Sequence, residues 1–125
     1  MNIPENLKYT KTHEWVKIDG NKVKVGITDF AQHEITDIVH IELPEVGKEV
    51  KKEQPVAVVE SVKSAFDIYA PIAGKVSAVN EAVLSSPELT NQSPYEQGYL
   101  YELEISGAAD LSGLLSAQEY KQTIG

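Results

Sequence analysis

Few side chains in this chain could carry chemistry, and the absences narrow the choice first. There is no cysteine. That excludes a thiol nucleophile, a disulfide framework and a Cys-ligated zinc site, so any thiol chemistry must come from a group attached to the chain. The histidines are His13, His33 and His40, and their spacing does not set a ligand pair on one helix face. His40 falls within a strand and reads as a structural histidine. Carboxylates are plentiful, but no pair is singled out. Glycine-rich phosphate loops, Gly-x-Ser-x-Gly and His-Glu-x-x-His are all missing. What remains is Lys63, inside Ala57-Val58-Val59-Glu60-Ser61-Val62-Lys63-Ser64-Ala65-Phe66-Asp67-Ile68-Tyr69-Ala70-Pro71. Two strands flank a short polar-centred link there. At the tip of a tight hairpin its amine would project into water, free of packing. Taken alone, it is an ordinary surface lysine.

The elements that would position this lysine are short and mostly β. Residues 13–19 and 22–27 read as a hairpin around Asp19-Gly20-Asn21, with Val23, Val25 and Ile27 on one face. Thr28-Asp29 can cap a short helix over 30–34, with Gln32 as a possible box partner. Residues 37–43 alternate, with Val39, Ile41 and Leu43 on one face, and Pro44 stops that strand. Strands are predicted over 56–61, 66–70, 75–80 and 99–105, with short helical or turn pieces across 81–97. Phe66, Ile68 and Ala70 share a face. Asp110 and Ser116 can cap two C-terminal helices, and Ser116-x-x-Glu119 is a capping box. Leu111, Leu114, Leu115 and Tyr120 supply the apolar face of that tail. A faint echo links 46–50 with 79–83 and suggests two similar β halves. The fold class expected is mainly β, a hybrid of sandwich and barrel with short helices. Val23, Val25, Ile41, Val58 and Ile68 are the expected core.

Length and composition limit the function classes. The chain has 125 residues, room for one domain spanning 1–125. All eleven basic residues are Lys, against 19 Asp and Glu, for a formal charge of −8. Without Arg, and this acidic, the chain is a poor nucleic-acid binder. The acidic surface suits docking onto basic patches of larger partners. The longest apolar run, Val56 to Val59, is far below the ~20 residues of a membrane span. The N-terminal residues lack the basic start and apolar stretch of a leader. The expected setting is cytoplasmic.

The lysine segment resembles the swinging-arm domains of lipoyl and biotinyl carriers, in which two strands present one lysine to a modifying ligase. Biotin carriers flank theirs with methionine, whereas here Val62 and Ser64 are the neighbours. Glu60-Ser61-Val62-Lys63 is the form seen in the H proteins of the glycine cleavage system. The likeness continues through Tyr9 to Val16, Val25 to Gln32, Ile41 to Gly47, Asp67 to Gly74, Val79-Asn80-Glu81, Ser93-Pro94-Tyr95 and Gly98-Tyr99-Leu100. It covers the chain from about Leu7 to Tyr120.

The resemblance implies a barrel-sandwich hybrid, a single lipoyl-carrier domain, with lipoic acid joined to Lys63 as an amide. It implies a carrier, itself non-catalytic, whose arm takes the aminomethyl group of glycine from the P protein (glycine decarboxylase) to the T protein (aminomethyltransferase). The L protein then reoxidises the arm. A lipoate ligase or lipoyl/octanoyl transferase would attach the cofactor. Glu60 and Gly74 occupy positions linked to lipoylation, Gly74 either by recognition or by permitting a turn. The loaded arm is implied to fold back out of water. Its cationic amine then needs a carboxylate: Glu14 or Asp67, with Thr12 adding a hydroxyl. Glu14 is preferred because Trp15 beside it would form an apolar wall. The alternative is an H-like lipoyl donor that supplies 2-oxoacid dehydrogenases.

Overall fold

The computed structural model describes residues 1–107 and 111–125. In chain order its elements are β1 (Lys8–Tyr9), β2 (Glu14–Asp19), β3 (Lys22–Ile27), α1 (Asp29–Ile35), β4 (Ile38–Glu42), β5 (Glu49–Val50), β6 (Pro55–Ser61), β7 (Ala65–Tyr69), β8 (Gly74–Val79), α2 (Ala82–Ser85), α3 (Glu88–Gln92), β9 (Tyr101–Glu104) and α4 (Ala117–Ile124). They form a six-stranded sheet ordered β1-β2-β3-β9-β8-β5 and a three-stranded sheet ordered β4-β6-β7. Every ladder is antiparallel. This is the mainly-β, two-sheet architecture with short helices that the alternating patterns predicted.

Local chemistry explains the first hairpin. Asp19 pairs with Lys22 across Gly20-Asn21, and Gly20 sits at φ +63. A glycine with positive φ at the first central position is the requirement of a type II′ turn, whose twist matches the strands it joins. Beyond it Val23, Val25 and Ile27 turn inward and are buried. They share a core with Ile41, Val59 and Ile68 of the small sheet and with Val76, Tyr101 and Leu103 of the large one. A second cluster, of Leu7, Tyr9, Trp15, Ala117 and Tyr120, fastens the C-terminal helix to the outside of the large sheet. Trp15 donates its indole N–H to the Pro94 carbonyl (3.0 Å), which accounts for the Ser93-Pro94-Tyr95 segment.

Several expectations about the small sheet are corrected, two of them by irregular pairing. Val58 is only partly buried and faces outward, opposite Glu42 and Asp67, while Val59 is fully buried. The register shifts between Pro55 and Ala57, so Val56 and Ala57 are both buried and the inward set moves by one. A second shift lies between Ile38 and His40. It turns Ile38 inward and leaves Val39 53% exposed. His40 is also exposed, its imidazole 4.0 Å from the Glu42 carboxylate, and so is not a satisfied core histidine. Phe66, at the hairpin tip, is 39% exposed although Ile68 and Ala70 on its face are buried.

The helices differ in detail as well. Thr28 is the N-cap of α1, accepting from the Ala31 N–H, and Gln32 bonds the Asp29 side chain instead of closing a box. Ser116 and Glu119 do form the reciprocal capping box of α4. Leu111 is exposed, and Leu114 and Leu115 are half-buried, so Tyr120 supplies most of this tail's burial. The helix expected after Asp110 is not formed: residues 111–116 are a turn and an isolated bridge from Leu115 to Tyr9, and Asp110 itself lies outside the described residues. The echo of 46–50 in 79–83 is not a structural repeat: the first ends in β5, the second runs from the end of β8 into α2.

Among the described residues no helix is long and apolar enough to cross a membrane. Val59 sits at the centre of the small sheet with no exposed surface. Val59→Ala is expected to cost about 2–3 kcal/mol in chemical denaturation. The same change at Val58, half-exposed, should cost well under half as much, which tests the corrected register.

Candidate functional site

The site is built on the hairpin of β6 and β7. Glu60 pairs with Ala65, and Lys63 lies in the link beyond that pair, exposed. The link is pinned from below. Ser61 donates its N–H to the Ser64 carbonyl (2.8 Å), and its Oγ accepts from the N–H groups of Lys63 (3.4 Å) and Ser64 (3.3 Å). A serine side chain turned onto its own backbone is a local turn device. It fixes the Lys63 backbone and leaves the side chain outside. Val62, 79% exposed, and Phe66 give the tip exposed apolar surface. Ser61 went unassigned in the sequence, although a serine two residues before the lysine is a readable turn signal.

On the outer face of the small sheet, two cross-strand rows run beside the tip: His40–Glu60–Ala65 and Glu42–Val58–Asp67. Glu60 is half-buried in the first row. Asp67 is exposed in the second and borders a depression of about 530 Å³ with Glu42, Glu45 and Lys48. Gly74 opens β8, paired with Val50, and its φ is not in the left-handed region. A Cβ at Gly74 would meet the Glu104 carbonyl oxygen at 2.9 Å and Ile105 Cγ2 at 3.2 Å. Its absent side chain therefore admits the neighbouring strand β9, and no turn there needs a glycine.

Glu14, the first residue of β2, lies against the far end of this hairpin, at Tyr69. It is 1% exposed. Its Oε1 accepts from the Thr10 hydroxyl (2.6 Å) and the Thr12 hydroxyl (2.5 Å), and its Oε2 from the Tyr69 N–H (3.3 Å). Burial pushes its pKa above the ordinary value, and these three donors pull the other way. A depression of about 510 Å³ opens over it, walled by Thr10, Thr12, Tyr69, Pro71 and, from the C-terminal segment, Gly113 and Leu114. Glu14 is thus a buried carboxylate held by neutral donors, in a depression that Lys11, Lys52 and Glu53 also line.

Glu14 is buried, but the apolar wall expected from Trp15 is not there. Trp15 points to the opposite face, into the second cluster, as strand alternation requires. Tyr101 is the aromatic neighbour: it is fully buried, its pKa is raised by burial and then by Glu14, and its Oη has no hydrogen-bond partner among the described residues. Thr12 and Glu14 are brought together. Asp67 is not in their depression; it lies one same-face step along β7 from Tyr69, which is. Thr10 and the Tyr69 N–H were missed. The alternation Thr10-x-Thr12-x-Glu14 was the visible signal for Thr10.

A small two-sheet domain that lifts one lysine on a pinned hairpin, with a buried carboxylate under the far end of that hairpin, is the arrangement of a swinging-arm carrier. The family model "Glycine cleavage H-protein" matches residues 7–125. The chain is 68% identical over 124 residues to the glycine cleavage system H protein of Endomicrobium trichonymphae, covering 99% of this chain and 100% of that one. It is 52% identical over 123 residues to the one from Halalkalibacterium halodurans, covering 98% and 96%. The crystal structure of a glycine cleavage system H protein from Mycobacterium marinum superposes with a TM-score of 0.91 at 36% identity, covering 98% of this chain and 99% of that chain. The chain belongs to the glycine cleavage H-protein family.

Proposed function

We propose that the chain is the cytoplasmic lipoyl carrier of a glycine cleavage system, with lipoic acid attached to Lys63. The observation that carries this reading is the pairing of an exposed lysine on a pinned tip with a buried carboxylate near the opposite end of β7. When attached, the lipoyl dithiolane supplies the disulfide that accepts the aminomethyl group of glycine at the P protein, yields it at the T protein and is restored at the L protein. A chain without cysteine needs such a group to do sulfur chemistry. Lys63 provides a solvated amine whose acylation removes its charge. Ser61 holds the backbone beneath it, so the long side chain swings from a fixed point. Tethering keeps the carried group at high local concentration and out of bulk diffusion. The chain catalyses no step itself.

Glu14 receives the cationic end of the loaded arm. A buried carboxylate and an entering ammonium offset each other's desolvation, and the hydroxyls of Thr10 and Thr12 keep that carboxylate aimed. From Ala65 to Tyr69 the strand spans about 13 Å, a course the arm can lie along, and Asp67 borders it. Glu60, on the outer face three residues before Lys63, contributes to recognition by the ligase or lipoyl/octanoyl transferase. Gly74 acts through space, by seating β8 against β9. Gly74→Ala is thus expected to cost about 1–3 kcal/mol of stability. Its folded fraction should be lipoylated at the wild-type rate. A stable Gly74→Ala protein that resists lipoylation would give Gly74 a recognition role instead.

The functional test is release of carbon dioxide from glycine by P protein. It should require the lipoylated chain and fail with the unmodified one.

A further inference from the structure

The loop that aims Glu14 has an unusual backbone. His13, between Thr12 and Glu14, sits at φ +73. A non-glycine residue there is strained, and such strain persists only where surrounding contacts over-determine it. The contacts are visible. The His13 N–H donates to the Thr10 carbonyl (3.2 Å), and its carbonyl accepts from the Thr28 N–H (3.0 Å). Its ring lies 4.9 Å from that of Phe30. Its Nδ1 is 2.9 Å from the hydroxyl of Tyr120, which is also 2.7 Å from Thr28 Oγ1. Thr28 Oγ1 also accepts from the Ala31 N–H, so His13, Tyr120, Thr28 and the first turn of α1 form one continuous hydrogen-bonded chain.

Tyr120 is itself packed on all sides. It is fully buried, stacked on Tyr9 at 4.8 Å and 11°. Tyr9 in turn exchanges both backbone hydrogen bonds with Leu115 (2.8 and 2.7 Å), next to the Gly113–Leu114 wall of the Glu14 depression. The C-terminal segment is thus riveted to the site at two points, Leu115 and Tyr120.

We propose that Tyr120 is a positioning residue for the arm-docking carboxylate: its hydroxyl holds His13 in the left-handed backbone that converges the Thr10 and Thr12 hydroxyls on Glu14. The functional part of this rests on the docking role given to Glu14 above. Without the Tyr120 hydroxyl, His13 loses the side-chain bond that opposes its strain. The turn over residues 10–14 then relaxes, and the two threonine hydroxyls no longer meet at one carboxylate oxygen.

The test uses the full chain as Tyr120→Phe, which keeps the stacked ring and removes only the hydroxyl. Ile105→Val serves as a remote core control. Two readouts are taken. One is the ¹³C signal of the Glu14 side-chain carboxyl in unloaded protein, assigned with Glu14→Gln. The other is formaldehyde and ammonia release from the loaded arm without T protein. We expect Tyr120→Phe to move the Glu14 signal and speed release roughly fivefold, the worth of one net hydrogen bond. Ile105→Val should do neither, even where its melting point falls as far. An unmoved Glu14 signal in Tyr120→Phe, or an equal shift in the control, overturns the proposal. Wild-type release from Glu14→Gln would instead remove the docking role, and the carboxyl signal alone would then decide the positioning claim. Should Tyr120→Phe not fold, His13→Phe replaces it, since it keeps a ring against Phe30 and removes the Nδ1 that meets the Tyr120 hydroxyl. The same outcomes then apply.

Discussion

Lys63→Arg yields a folded chain that carries nothing. The tip side chain is exposed, and the link is held by Ser61, so the unfolding midpoint should stay within about 0.5 kcal/mol of wild type. The loss of function should be complete. A guanidinium stays protonated at any accessible pH and offers no free amine for acylation. Glycine decarboxylation by P protein should therefore fall to the level seen without any carrier. The Val62, Glu60 and Ser64 neighbours are untouched, so the substitution separates loss of the acceptor amine from loss of the recognition surface. Residual turnover with the Arg variant would mean that a second lysine accepts the arm.

Glu14→Gln has the next largest effect, in opposite directions on stability and function. In the unloaded protein the Glu14 carboxyl is 1% exposed among neutral donors. Its folded pKa is raised above the ordinary 4.5, so between those two values the native state holds the proton more tightly than the unfolded state does. The wild-type contribution is therefore most favourable below 4.5 and falls as pH rises through the folded pKa. Glu14→Gln is expected to match wild type near pH 4 and to melt higher at pH 7. The loaded arm should suffer the reverse. Losing a charged hydrogen bond worth about 1.5–3 kcal/mol should speed formaldehyde and ammonia release roughly tenfold to a hundredfold. Lipoylation at Lys63 should be unchanged. A variant less stable at pH 7 but not at pH 4 would show that the charge is already compensated in the unloaded protein.

The parts of the fold that sequence reading reached are the local ones. The β2–β3 hairpin follows from Asp19-Gly20-Asn21 and three alternating residues, and the α4 box from Ser116 and Glu119. The exposed Lys63 likewise follows from a short polar link between two apolar runs. The failures share a different cause. Val58 and Val39 are turned outward by register shifts opposite β7 and β6, and a one-residue shift reverses a face without leaving a mark in the strand's own composition. Gly74 is demanded by the Glu104 carbonyl, thirty residues on, and not by a turn of its own. Glu14 was reached through family likeness, and its wall was assigned to Trp15, which alternation sends to the other face. The convergence of Thr10 and Thr12 depends on the left-handed backbone of His13, held by a tyrosine 107 residues later. Contacts of that range are decided by tertiary packing.

The most direct test of the carrier assignment is the mass of the intact chain, taken before and after incubation with lipoate and a lipoate ligase, then mapped by peptide. The account predicts a gain of one lipoyl group, located on the peptide holding Glu60-Ser61-Val62-Lys63. A further gain should appear after glycine and P protein are added, and it should vanish with T protein and tetrahydrofolate. A chain that stays at its unmodified mass, or whose lipoyl group maps to a lysine other than Lys63, would contradict it.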